Sequence, residues 1–139
     1  MKRSSVALVD TSALLATAHP RDQNHLKAVA IGRAFLARQG RWIGSTLVLA
    51  ELHNHLLHIR GGLFARTHIQ ALVADASYEW MDTSAELVRD ALDRWIARFA
   101  DQRFSLTDAV SFELMRRERI RAAFAFDRHF VTAGFELLE

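Results

Sequence analysis

Two short apolar runs, Val6-Ala7-Leu8-Val9 and Ala122-Ala123-Phe124-Ala125-Phe126, stand near opposite ends of the chain, and each is followed at once by an aspartate. Runs this brief cannot form a helix core, and they offer no polar face to water. Strands apolar on both faces belong to a parallel sheet covered by helices on each side. Trp42-Ile43-Gly44 and Tyr78-Glu79-Trp80-Met81 read as two further strands, and Phe135-Glu136-Leu137-Leu138 as an edge strand. Between them lie longer stretches with helical spacing: from Ser12 to a break at His19-Pro20, 23–38 ended by Gly40, 47–59 stopped by Gly61-Gly62, and 63–74. Thr83-Ser84-Ala85-Glu86 and Ser105-Leu106-Thr107-Asp108 both have the form of a capping box, opening helices toward Phe99 and Glu118. This alternation predicts an α/β fold of three layers, a central, mainly parallel sheet of four to five strands flanked by helices. No repeat and no Ser/Gly/Pro-rich linker divides the chain, so residues 1–139 read as one domain.

Composition narrows the chemistry. There is no cysteine, which removes disulfide scaffolds, thiol catalysis, zinc knuckles and iron–sulfur clusters together. Basic residues are almost all arginine, the lysines being Lys2 and Lys27, and the pI is near 9.7 although the formal charge is +2. That keeps nucleic acid among the expected partners, while a GC-rich genome would produce the same arginine skew. The opening MKRSSVALVDTSALLATAHP imitates a secretory leader, from Lys2-Arg3 to Ala16-Thr17-Ala18. Asp10 lies in the middle of its apolar stretch, where a charge opposes insertion. No apolar run reaches the roughly 18–20 residues a spanning helix needs. The expectation is a cytoplasmic protein without a membrane partner.

The positions of certain acids carry more. Asp10 ends VALVD and Asp127 ends AAFAFD, so each is expected at the C-terminal tip of a buried strand. In open parallel sheets those tips border the crevice where ligands bind. Asp108 falls in the first turn of an expected helix, and Glu51 lies within the otherwise apolar stretch from Leu47 to Leu57. Helices that follow strands start on the same side of the sheet, so the topology can gather all four acids. Four carboxylates in one crevice raise one another's pKa values unless cations neutralise them. With oxygen donors and no thiol, the cation that fits is Mg²⁺ or Mn²⁺, and its chemistry suits phosphodiester hydrolysis. Each acid also has a plainer role available. Asp10 can cap a helix, Asp108 can complete the Ser105 capping box, Asp127 with Arg128 can form a turn, and Glu51 can edge a solvated helix.

The segments VALVDTSALLA, STLVLAEL and SLTDAVSFELMRRERIRAAFAFDRHFVTAGFELL, in that order, resemble the PIN domain, and within it the VapC-type toxin of bacterial toxin–antitoxin pairs. The last segment is the most specific, and the stretch from Gly61 to Arg98 matches in pattern only. The resemblance implies a PIN-like fold, Mg²⁺- or Mn²⁺-dependent cleavage of RNA, homodimerisation, and neutralisation by a cognate antitoxin. It also implies Asp10, Glu51, Asp108 and Asp127 as the catalytic, metal-holding acids, with Thr11 or Ser12 supporting the first. Arg103 and Arg128 flank these acids and are candidate contacts for substrate phosphate.

Other readings compete. On the helix ELHNHLLH, Glu51, His55 and His58 fall within about 60° of one another, a face that could hold zinc or iron, while His53 points away. The plainer alternative buries His55 and His58 at a contact surface. A phosphoryl-transfer domain with Asp10 as nucleophile lacks the lysine it needs late in the chain, since none follows Lys27. A non-catalytic interaction module would use the Arg-rich stretch 116–121, which otherwise binds RNA phosphates or is a solvated face. Trp42, Trp80 and Trp95 are expected in the core or an interface rather than stacked on bases.

Overall fold

The computed structural model describes residues 5–139; Lys2-Arg3, the basic start of the leader-like segment, lies outside them. Five strands form one parallel sheet in the order β3-β2-β1-β4-β5. They are β1 Val6–Val9, β2 Arg41–Ser45, β3 Tyr78–Met81, β4 Ala122–Phe124 and the two-residue edge strand β5 Glu136–Leu137. Helices α1 Thr11–Ala18 and α2 His25–Ala37 connect β1 to β2, and α3 Thr46–Arg60 and α4 Gly62–Ala74 connect β2 to β3. Helices α5 Ala85–Ala91 and α6 Leu106–Glu118 lead to β4, and α7 His129–Thr132 leads to β5.

The chain moves outward from β1 to β3, then crosses back and continues from β4 in the opposite direction. Right-handed crossovers therefore put the first four helices on one face of the sheet and the last three on the other. Side-chain alternation matches. Ala7, Val9, Trp42 and Phe124 pack against α1–α4, while Leu8, Ile43 and Ala123 face α5, α6 and α7. Both faces of β1 are thus buried, which is why its sequence lacks a polar alternate. Trp42 and Trp95 are core residues, and Trp80 donates its Nε1–H to the Leu72 carbonyl.

Several boundaries differ from expectation for local reasons. The helix expected from Thr83 is capped one residue later: Ser84 Oγ accepts from Leu87 N at 3.1 Å, while Thr83 bonds across to Thr46. Past Ala91 this helix widens into a π-helical turn, Leu92–Ile96, that carries Trp95 into the second core. Gly61 ends α3 and starts α4 in one step with φ +84, a value that favours glycine, and Gly62 is already helical. The apolar run 122–126 is a strand only to Phe124, so Asp127 sits three residues beyond the strand end rather than on it.

Candidate active site

The sheet order reverses between β1 and β4, and the crevice at their C-terminal ends is the place where such sheets bind ligands. A cleft of about 460 Å³ opens there. Its lining brings together Asp10 from the end of β1, Glu51 from α3, Asp108 from α6 and Asp127 from the loop after β4, with Thr11, Ser12 and Arg103. Arg128 is exposed and is not among the lining residues. A larger hollow of about 520 Å³ lies between the C-terminal end of α6 and β5. Its lining holds a single carboxylate, Glu136, so clustered acid chemistry belongs to the smaller cleft.

Asp10 is 4% exposed and caps α1, its Oδ2 accepting from Ser12 N at 3.1 Å and from Ser12 Oγ at 2.5 Å. Ser12 Oγ in turn accepts from Phe126 N at 3.0 Å, and Asp10 N donates to the Phe124 carbonyl. One hydroxyl therefore pins the first acid to the segment that leads into Asp127. Of the two hydroxyls expected beside Asp10, Ser12 holds this position. Thr11 Oγ1 is buried without a hydrogen-bond partner among the described residues, and Thr11 also borders the cleft.

Asp108 is at once a helix cap and a cleft-lining acid. Its backbone N–H donates to Ser105 Oγ at 3.0 Å while its Oδ2 accepts from Ser105 N at 3.2 Å, completing the expected capping box. The same Oδ2 accepts from His129 Nδ1 at 3.0 Å. Asp127 Oδ1 accepts from His129 N at 2.8 Å and lies 3.4 Å from His129 Nδ1. His129 is the cleft residue that sequence reasoning missed. The available signal was its place two residues after Asp127, where an Asx turn folds the chain back onto the carboxylate.

Electrostatics follow burial. Asp10 has its pKa pushed up to about 6, chiefly by burial and further by the charges of Asp108 and Asp127, against the pull of the Ser12 hydrogen bonds. Asp108 is also raised, first by burial and then by Asp127, while the bonds from His129 and Ser105 oppose the rise. Two adjacent carboxyls that resist ionisation call for positive charge in the cleft. One ligand atom each from Asp108, Asp127 and His129 lies within 4.8 Å of the others, the span of a shell around one ion. Among the described residues this is the one such group; Glu51, His55 and His58 do not form another. His55 borders the cleft, and His58 is exposed outside its lining.

The Arg-rich stretch 116–121 divides. Arg116 and Arg117 grip Glu113, a fully buried carboxylate on α6 that also accepts from Trp95 Nε1 at 3.1 Å. Arg94 Nε lies 3.1 Å from the same carboxylate without hydrogen-bond geometry. Arg119 and Arg121 are exposed. No helix among the described residues is long and apolar enough to cross a membrane.

The sequence profile of the PIN domain matches residues 7–136. The 23S rRNA-specific endonuclease VapC20 of Mycobacterium tuberculosis is 32% identical over 127 residues, covering 91% of this chain and 93% of that protein. Ribonuclease VapC26 of the same organism is 28% identical over 126 residues, covering 91% and 90%. The crystal structure of VapC20, described as a sarcin-ricin loop cleaving toxin, superposes with a TM-score of 0.82 at 30% identity over 94% of this chain and 96% of that one. VapBC2 from Rickettsia felis, at 13% identity and a TM-score of 0.66, shares the fold.

Proposed function

The chain belongs to the PIN-domain family, of the VapC type, and on that premise we propose that it is a divalent-metal-dependent endoribonuclease acting as the toxin of a toxin–antitoxin pair. The observation that carries the reading is the convergence of Asp10, Glu51, Asp108 and Asp127 on one cleft at the β1/β4 switch point. The donor set fits a hard cation: carboxylate oxygens from four separate segments, no thiol, and beside them a buried Thr11 hydroxyl that has no partner among the described residues. Mg²⁺ or Mn²⁺ bound there would polarise the scissile phosphate and acidify an attacking water.

The protein's own contribution is pre-organisation. Ser12 fixes the Asp10 carboxylate, the Ser105 cap fixes Asp108, and the Asx turn at His129 fixes Asp127. Asp10, Asp108 and Asp127 are thus held before substrate arrives, so no reorganisation of these three is spent at the moment of reaction. Arg103 lines the cleft from the loop before α6, which supports a role for its guanidinium in taking a phosphate oxygen. Arg128, exposed outside the lining, is left with a contact to more distant backbone. A toxin must be restrained in the cell that makes it, so an antitoxin protein is its partner; a homodimeric active unit is what the resemblance to the VapC type implies.

The test is cleavage of labelled RNA by purified protein with Mn²⁺ or Mg²⁺, beside EDTA and Asp10→Asn. A sarcin-ricin loop RNA is the first substrate, because VapC20 is named for cutting it. Metal-dependent cuts that vanish in the variant support the assignment. Cuts that persist in Asp10→Asn overturn it.

A further inference from the structure

Resting on that metal site, we infer that His129 is its nitrogen donor and makes the site prefer Mn²⁺ to Mg²⁺. The imidazole is set for this by three separate constraints. Its backbone N–H closes the Asx turn on Asp127 at 2.8 Å, which fixes the origin of the side chain. Its ring stands edge-on to Phe104, with centroids 5.3 Å apart and planes at 72°, which fixes the rotation. Its Nδ1 then points between two carboxylates, 3.0 Å from Asp108 Oδ2 and 3.4 Å from Asp127 Oδ1. A cation drawn to that pair of acids meets the ring nitrogen from the same side.

Neutral imidazole carries its hydrogen on either nitrogen. With the hydrogen on Nδ1 the ring donates to Asp108; with it on Nε2 the Nδ1 lone pair faces the cation. Ligation puts the hydrogen on Nε2 and gives up the Nδ1 bond to Asp108. Mg²⁺ is selective for oxygen and dehydrates reluctantly, whereas Mn²⁺ accepts imidazole more readily. A mixed oxygen and nitrogen shell therefore separates two ions that a purely carboxylate shell treats alike. The rival role keeps the Nδ1 hydrogen on Asp108, the ring orienting a ligand without being one.

The experiment uses the intact protein without RNA, loaded with Mn²⁺ and examined by electron spin-echo spectroscopy for nitrogen coupling. A calorimetric Mn²⁺/Mg²⁺ competition accompanies it. Wild type is expected to show nitrogen coupling, retained in His55→Ala, whose imidazole borders the same cleft, and lost in His129→Ala and His129→Asn. The Asn variant keeps a hydrogen-bond donor near the place of Nδ1 but supplies no imidazole. The preference for Mn²⁺ should fall on the order of tenfold in both His129 variants. Wild type that binds Mn²⁺ without nitrogen coupling, or a His129→Asn variant that keeps the wild-type preference, overturns the inference and leaves the nuclease reading standing. Wild type that binds no divalent ion overturns both.

Discussion

Asp10→Asn tests whether the first acid is under electrostatic load. Burial and the neighbouring acids raise its pKa from 3.8 to about 6. A shift of about two units corresponds to about 3 kcal/mol between the two protonation states. The sign follows from proton counting. Between pH 3.8 and about 6 the folded state holds more of this proton than the unfolded chain, so stability falls as pH rises through that window. Above it the full cost of a buried, ionised carboxylate is present; below it the cost is gone. Asparagine keeps an oxygen to accept from Ser12 N and Oγ, so the cap survives while the charge does not. Urea denaturation in EDTA should therefore find Asp10→Asn more stable than wild type by about 2–3 kcal/mol at pH 8. The gap should shrink to under about 1 kcal/mol at pH 4. Saturating Mn²⁺ should stabilise wild type preferentially and narrow the gap at pH 8, since a ligand that binds only the folded state adds about 2.7 kcal/mol at one hundred times its Kd. A variant less stable than wild type at pH 8, or a gap of equal size at both pH values, would refute the electrostatic account and leave Asp10 as a cap alone.

Three further perturbations follow from particular contacts. Ser12→Ala removes the hydroxyl between Asp10 and Phe126 N, and should cost about 1–3 kcal/mol in a urea melt while sharply lowering RNA cleavage. Glu113→Gln should cost about 2 kcal/mol at pH 7, a figure discounted because its arginine partners are partly exposed. Burial alone would raise the Glu113 pKa, but the bonds from Arg116, Trp95 and Arg117 hold it at about 2, so its contribution is present above pH 4.5 and lost as pH falls toward 2. Wild type and variant should converge in acid, and cleavage per folded molecule should be unchanged. Gly44→Ala puts a Cβ 2.7 Å from the Trp80 ring and 3.1 Å from Val9 Cγ1, within the sheet that carries Asp10. It should lower stability by about 1–3 kcal/mol, read as a drop in Tm.

What the chain determines without its tertiary structure is what short-range chemistry dictates. A run such as VALV is driven to burial on both faces, as Ala7, Leu8 and Val9 are while Val6 at the strand start is exposed, and a Ser-x-x-Asp at a helix start caps it, as Ser105 and Asp108 do. Asp10 and Asp127 stand out because each ends an apolar run, and Glu51 because it lies inside one, while Asp108, in the first turn of a capped helix, is singled out by the resemblance to the PIN domain. Where two local solutions have nearly equal energy, sequence did not choose. Thr83 and Ser84 can each cap α5, and the bond of Thr83 to Thr46, from a helix elsewhere in the chain, decided for Ser84. Likewise AAFAF could pair to its end, but pairing stops at Phe124, and Phe126 N goes to Ser12 instead of to a neighbouring strand.

Other features belong to the folded state alone. Arg116 and Arg117 look like free phosphate contacts until the buried Glu113 on their own helix is seen to hold them. The meeting of His129 with Asp108 joins residues 21 positions apart, and no spacing rule reports it. Sequence sets the types of elements and the chemistry at their ends, because those depend on neighbours within a few residues. Only the strand order β3-β2-β1-β4-β5 makes four distant acids face one cleft and raises the pKa of Asp10, because burial and Coulomb repulsion depend on distance through space and not along the chain.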